Sequence, residues 1–222
     1  MTKDLARLFL LLSFFHAFGW ANAQKSETII DQQAYNQANS YYNEAIDFFD
    51  FGETEKALSK FSLAVGLNPN NSDYWFGRAS CYYDLKQFVK AARDIETAIQ
   101  MEPGQADYHY YAGNIYFHKG DFNLAIKNYT KSIEANSDPD IHLNEVNILF
   151  NRGVAQLNLK QYNEAESDFK LVLEKEPENV DATHNLAVCL LKQNKDSACS
   201  TFLKAKKLGS GNSGQYISRY CK

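Results

Sequence analysis

The stretch from Asn71 to Pro103, NSDYWFGRASCYYDLKQFVKAARDIETAIQMEP, decides the fold. Trp75, Ala79 and Tyr82 fall at i, i+4 and i+7, one face of a first helix, and Ala91, Ile95 and Ala98 repeat that face on a second. Lys86 and Gln87 lie between the two runs, and Pro103, which has no N–H to continue a helix, closes the unit. A shift of 34 residues back meets Tyr41, Ala45, Phe48, Ala57, Phe61, Ala64 and Pro69; the same shift forward meets His109, Gly113, Tyr116, Ala125, Tyr129 and Ser132. Self-similarity at this period means an array of helical hairpins, none of which can bury its apolar face alone.

Composition agrees with that reading. Only 4 prolines occur in 222 residues, helix formers dominate and long β-type alternation is absent, so the fold class is all-α. Residues 1–23 stand apart from the array. Lys3 and Arg7 precede an apolar run from Leu8 to Trp20, and Ala21-Asn22-Ala23 offers a small-residue cleavage signal, which predicts a signal peptide cleaved before Gln24. The run is too short to span a bilayer comfortably, so no stable membrane span is expected after cleavage. Loss of Lys3, Asp4 and Arg7 takes the formal charge from −4 to −5, and an acidic chain gives no electrostatic support for nucleic-acid binding.

Outward from the central unit, residues 24–37 are polar and read as an N-terminal tether. The units then run 38–71, 72–105, 106–139, 146–179 and a divergent 180–212, with a capping segment over 213–222. Short residues mark where two helices approach closely: Ala45 facing Ala57, Ala79 facing Ala91, Gly113 facing Ala125. The 40-residue interval from Ala125 to Ala165 places an insertion at 140–145; Asp138 before Pro139 predicts an early start for the following helix. In the fifth unit Ala198 comes one residue early, which predicts a shortened turn at Gln193–Lys195.

This pattern of an aromatic, a small residue, an aromatic, then Ala, an aromatic or aliphatic, Ala and Pro resembles the tetratricopeptide repeat, and the resemblance covers most of the chain after residue 37. It implies an α-solenoid of about five repeats in a right-handed superhelix, a non-enzymatic scaffold, and a concave groove lined by the first helix of each repeat where peptides or partner helices bind.

Of the four cysteines, Cys81 and Cys189 hold equivalent positions three units apart, beyond disulfide reach, and Cys81 is expected free and buried. Cys199 and Cys221 are the pair that the capping segment can bring together in an oxidising compartment. Ala198-Cys199, Lys204-Ala205, Leu208-Gly209 and Tyr220-Cys221 also resemble the ending of exported bacterial repeat proteins, which implies a periplasmic or otherwise extracytoplasmic location and a 199–221 link.

No catalytic motif is present. The histidines have neither zinc spacing nor a C-x-x-C partner, and no P-loop, dinucleotide fingerprint or nucleophile elbow occurs, so no cofactor or metal is expected. The candidate site is instead a second stripe on the first helices: Phe76, Ser80, Tyr83, Tyr110, Asn114, Phe117, His118, Asn151 and Asn185. Aromatic rings supply contact area, and the amides and hydroxyl can pair with a ligand backbone. The same aromatics could equally pack between units, with Tyr42, Phe76, Tyr110 and Phe150 the stronger candidates for core. The expected partner is a peptide or protein; the rival readings are carbohydrate capture by the same aromatics and an accessory subunit of an envelope complex.

Overall fold

The computed structural model describes residues 31–135 and 144–221, and every regular element among them is a helix. The expected signal peptide, the tether up to residue 30, Asp138, Pro139 and residues 140–143 of the insertion lie outside the described residues. In chain order the helices are α1 over 31–50, α2 Thr54–Leu67, α3 Ser72–Asp84, α4 Phe88–Met101, α5 Ala106–Lys119, α6 Phe122–Ala135, α7 Glu145–Asn158, α8 Tyr162–Lys175, α9 Val180–Lys192, α10 Ala198–Lys207 and α11 Ser213–Tyr220. They form two compact units, one ending at Gly77 and the other beginning at Arg78. Residues 31–37, expected in the tether, are already part of α1.

Each hairpin closes through one recurring turn. Gly52, Lys86, Gly120, Lys160 and Asn194 hold positive φ, between 54° and 82°. The next N–H then reaches the carbonyl five residues back: Glu53 to Phe48, Gln87 to Tyr82, Asp121 to Tyr116, Gln161 to Gln156 and Lys195 to Leu190, at 2.8–2.9 Å. This left-handed cap satisfies a carbonyl that the helix end would otherwise orphan. The turn at Gln193–Lys195 is therefore intact, and the missing residue of the fifth repeat falls after it, where Asp196 and Ser197 form a turn before α10. Similarly, α7 does not start early: Asn144 caps it, accepting from the N–H groups of Val146 and Asn147.

Burial follows the small positions strictly and the aromatic ones loosely. Ala45, Ala57, Ala64, Ala91, Ala98 and Ala125 are fully buried, and Phe61, Ile95 and Tyr129 are at most 1% exposed. Trp75 and Tyr82, expected in the packing stripe, are only half-buried. The Trp75 indole N–H donates to the Pro69 carbonyl at 2.8 Å, so its ring covers the turn between repeats. His109, which replaces tryptophan in the next repeat, makes the same bond: its Nε2 lies 2.9 Å from the Pro103 carbonyl. Tyr82 instead faces Lys90, whose Nζ sits 5.2 Å from the ring centre. Within the first unit, Ala38, Ala64, Val65 and Tyr74 form the core, and the Tyr74 hydroxyl donates to Asn39 at 2.6 Å. In the second unit a core runs from Leu149 through Phe169 and Val172 to Leu186, Cys189 and Leu190.

Three interactions in the second unit involve charge where the sequence pattern suggests solvent. Arg78 and Asp94 form a two-pronged ion pair, and Arg152 and Asp168 form its copy two repeats later, with both aspartate side chains 4% exposed. Glu166, 6% exposed, accepts from Lys170, Lys195 and Gln193, each at 2.7 Å. Burial alone would raise its carboxyl, but those three donors outweigh it and hold the group at about 2. Together they fasten the Asn194 turn onto α8.

Gly113 shows how close α5 and α6 come. A Cβ there would lie 2.5 Å from the Tyr129 ring, which is boxed in at 1% exposure, whereas a Cβ at Gly153 would meet Phe169 at 3.0 Å. Gly113→Ala is expected to lose about 1–2 kcal/mol net of the helix propensity that alanine adds, and Gly153→Ala less, by urea unfolding. Equal effects of the two would contradict this geometry.

Acid should release the Glu166 cluster. A carboxyl held near 2 in the fold, against about 4.3 unfolded, contributes stability that is complete above pH 5 and is lost as pH falls toward 2. The stability gap between the native chain and Glu166→Gln should therefore shrink between pH 5 and pH 2; a gap that stays constant over that range contradicts it.

Candidate functional site

In the second unit, α3, α5, α6 and α7 surround an open concavity of about 390 Å³, lined by Tyr83, Tyr110, Asn114, Phe117, His118, Tyr129, Phe150, Asn151 and Val154. The helical hairpins place these side chains. Tyr110, Asn114 and Phe117 lie at i, i+4 and i+7 on α5, and Asn151 is 37 residues beyond Asn114, on the next first helix.

The floor is polar. Asn114 Oδ1 accepts from the Tyr129 hydroxyl at 2.8 Å and from Asn151 Nδ2 at 3.2 Å. Burial drives the Tyr129 phenol well above its ordinary range, so it remains a donor at any physiological pH. Among the described hydrogen bonds, the Asn114 amide nitrogen donates to nothing and the Asn151 carbonyl oxygen accepts from nothing. One spare donor group and one spare acceptor thus stand on neighbouring amides, the complement of a peptide unit.

The walls are aromatic. Tyr110 packs at 6.3 Å from Tyr129, and Phe150 meets Phe169 edge-on at 5.8 Å. His118 is exposed, yet its ring is fixed on three sides: stacked on Phe88 at 5.1 Å and 5°, with Tyr83 at 5.5 Å and Phe117 at 5.8 Å. Burial also raises the Tyr83 phenol above its usual value. Rigid rings around an amide floor can bind an extended chain by contact and hydrogen bonds. Among the described residues no group of three His, Cys, Asp or Glu side chains is placed to hold a metal ion, and no helix is long and apolar enough to cross a membrane.

Six of the nine residues expected in the groove meet here: Tyr83, Tyr110, Asn114, Phe117, His118 and Asn151. Phe76 belongs to the first unit and Asn185 sits on α9, neither of them lining this concavity. Ser80 is 6% exposed on α3, which leaves its hydroxyl inside the packing. Tyr110 and Phe150, weighed as core members, line the concavity while remaining half-buried. Tyr129 and Val154 escape sequence reasoning, because a ring buried at its base can still present its hydroxyl to a cavity.

At the far end of the second unit, α11 covers the last repeat. Tyr216 stacks on Phe202 at 4.9 Å, and Ser213 Oγ lies 2.8 Å from His184 Nδ1. That contact places His184 of α9 under the cap, where burial lowers its affinity for a proton. The Cα atoms of Cys199 and Cys221 are 5.5 Å apart with their sulfurs at bonding distance. Cys81 and Cys189 are buried, which pushes both thiols up to about 12.

Known proteins place this architecture. Three family models, each described as tetratricopeptide repeat, match residues 42–95, 106–139 and 157–205, together more than half of the chain. The fold is similar to the crystal structure of YrrB, described as a TPR protein with an unusual peptide-binding site: TM-score 0.74, 22% identity, 87% of this chain and 97% of that one. It is also similar to the MamA protein, with TM-score 0.69, 14% identity, and coverage of 83% and 95%. A second MamA structure, MSR-1 C2, gives TM-score 0.68 at 21% identity over 77% and 95%. Comparison with curated protein sequences gives no match. The hairpin array, its recurring turn and these matches identify the chain as a member of the tetratricopeptide repeat family.

Proposed function

We propose that this chain is a non-enzymatic interaction scaffold that holds an extended peptide segment of a partner protein in the concavity around Asn114. The observation that carries this is the Asn114–Asn151 pair, which leaves one amide donor and one acceptor facing a cavity walled by Tyr83, Tyr110, Phe117 and Phe150. A peptide backbone offers the matching acceptor and donor at every residue, so main-chain pairing supplies affinity and the rings select apolar side chains. The peptide-binding site described for YrrB supports the class of ligand, and the tetratricopeptide matches support a protein partner.

We place the scaffold in the cell envelope, after removal of residues 1–23, with Cys199 and Cys221 joined. The leader pattern and the apposition of the two cysteines support this together. A link across 22 residues limits the unfolded chain by about 3 kcal/mol in the loop-entropy account, enough to hold an eight-residue helix that could not persist alone.

The groove is tested by selecting peptides from a random displayed library on the mature chain and measuring their affinities. Asn114→Ala and Phe117→Ala are each expected to weaken binding about ten-fold or more with little change in melting temperature. Unchanged affinity in folded variants, or binding of glycans with no peptide binding, contradicts the proposal.

Peptide mapping of the non-reduced exported protein should yield a fragment linking Cys199 to Cys221, with Cys81 and Cys189 alkylated only after unfolding. Alkylation of Cys199 and Cys221 in the native protein would count against both the link and the oxidising compartment.

A further inference from the structure

The last thirty or so residues carry a charge balance unlike the rest. Residues 190–222 hold 7 of the chain's 23 lysines and arginines but 1 of its 27 acidic residues. Two of these cations converge. Lys192, in the last turn of α9, and Arg219, in the last turn of α11, line one cleft of about 230 Å³ with Leu191, Gln215, Tyr216 and Tyr220.

A helix C-terminus favours a cation, which explains a basic residue in each last turn separately. It does not explain why two separate helix ends deliver their cations to the same cleft, whose wall holds no carboxylate among the described residues. Among the described ion pairs none includes Lys192 or Arg219, while the nearby Lys195 is held by Glu166. Two like charges facing one cavity repel, and a bound anion turns that repulsion into attraction.

The wall is also built before any ligand arrives. Tyr216 is stacked on Phe202 and meets Tyr220 at 6.0 Å, and the Arg219 guanidinium lies 5.3 Å over the Tyr220 ring. This cation–π contact keeps the guanidinium beside the ring with its planar fork able to pair with a carboxylate, and the Gln215 amide and tyrosine hydroxyls supply further donors. Since the rest of the chain is acidic, a local basic cleft selects by sign rather than by general attraction.

From these observations we propose that the cleft between α9 and α11 is a second binding site, separate from the Asn114 concavity, that takes a carboxylate of an acidic peptide segment. Lys192 and Arg219 clasp the carboxylate, and Gln215, Tyr216 and Tyr220 form its polar and aromatic rim.

The test uses the mature chain and two fluorescein-labelled peptides that differ only in four consecutive glutamates against four glutamines. Anisotropy titration at low salt should show the glutamate peptide binding about ten-fold more tightly or better. Lys192→Gln combined with Arg219→Gln should abolish that preference, and Lys192→Gln alone, which leaves the cap untouched, should reduce it. Lys206→Gln combined with Lys207→Gln removes as much charge from exposed positions on α10 and should preserve it. Asn114→Ala with Phe117→Ala should preserve it as well. Absence of a preference in the native chain, equal losses in the two lysine and arginine double variants, or loss in the Asn114 and Phe117 variant would each overturn the proposal.

Discussion

Every helical hairpin in this protein depends on one backbone hydrogen bond across a left-handed residue. The bonds from Glu53, Gln87, Asp121, Gln161 and Lys195 fix where the first helix ends and the angle at which the second leaves. Once that angle is set, the two helices converge near the turn, and only short side chains fit between them. Ala45, Ala79 and Gly113 follow from the turn rather than from any preference of helices for alanine. Glycine suits the left-handed position, yet Lys86, Lys160 and Asn194 occupy it too. A strain of about 1 kcal/mol per non-glycine residue is small beside the hairpin core it permits.

The same constraint explains what the sequence reveals. Because the turn and the close approach recur at fixed positions, the period exposes them, and the assignment of fold and of fully buried small residues needs nothing more. Aromatic positions are read less well, since a ring can serve several ends. Trp75 and His109 share a bond to a proline carbonyl, and a histidine in place of an aromatic looks like a lapse in the pattern until that carbonyl is in view. The ion pairs Arg78–Asp94 and Arg152–Asp168 are harder still. A charge on a helix face reads as solvated, and only the identical 16-residue spacing of the two pairs hints that each bridges a hairpin.

For the site, the question of whether the second aromatic stripe is core or groove dissolves. Tyr110 and Phe150 do both, packing against Tyr129 and Phe169 on one side while lining the concavity on the other. A ring half-buried in this way is held rigid without loss of its exposed face, which lowers the ordering cost of binding. The asparagines depend on that rigidity. Asn114 leaves its amide hydrogens for the concavity because Tyr129 and Asn151 already occupy its oxygen. Ser80 shows the opposite case: its helical offset is right, but packing covers it, so a shared helix face is not sufficient to make a groove residue.

The end of the array follows a different logic from its middle. An internal repeat is covered by the next hairpin, with some fourteen residues in each helix, whereas the final face has only the eight residues of α11. Such a helix lacks the length to sustain itself. Its hold comes from local contacts: Tyr216 on Phe202 and against His184, Ser213 with His184, and the Cys199–Cys221 apposition. Because α11 packs Ser213 and Tyr216 against His184, it covers the position at which Tyr110 and Phe150 line the concavity in earlier repeats, and it carries its own polar residues to the rim instead. Whatever chemistry the last repeat offers must therefore be written on the cap and on the end of α9, where Arg219 and Lys192 stand.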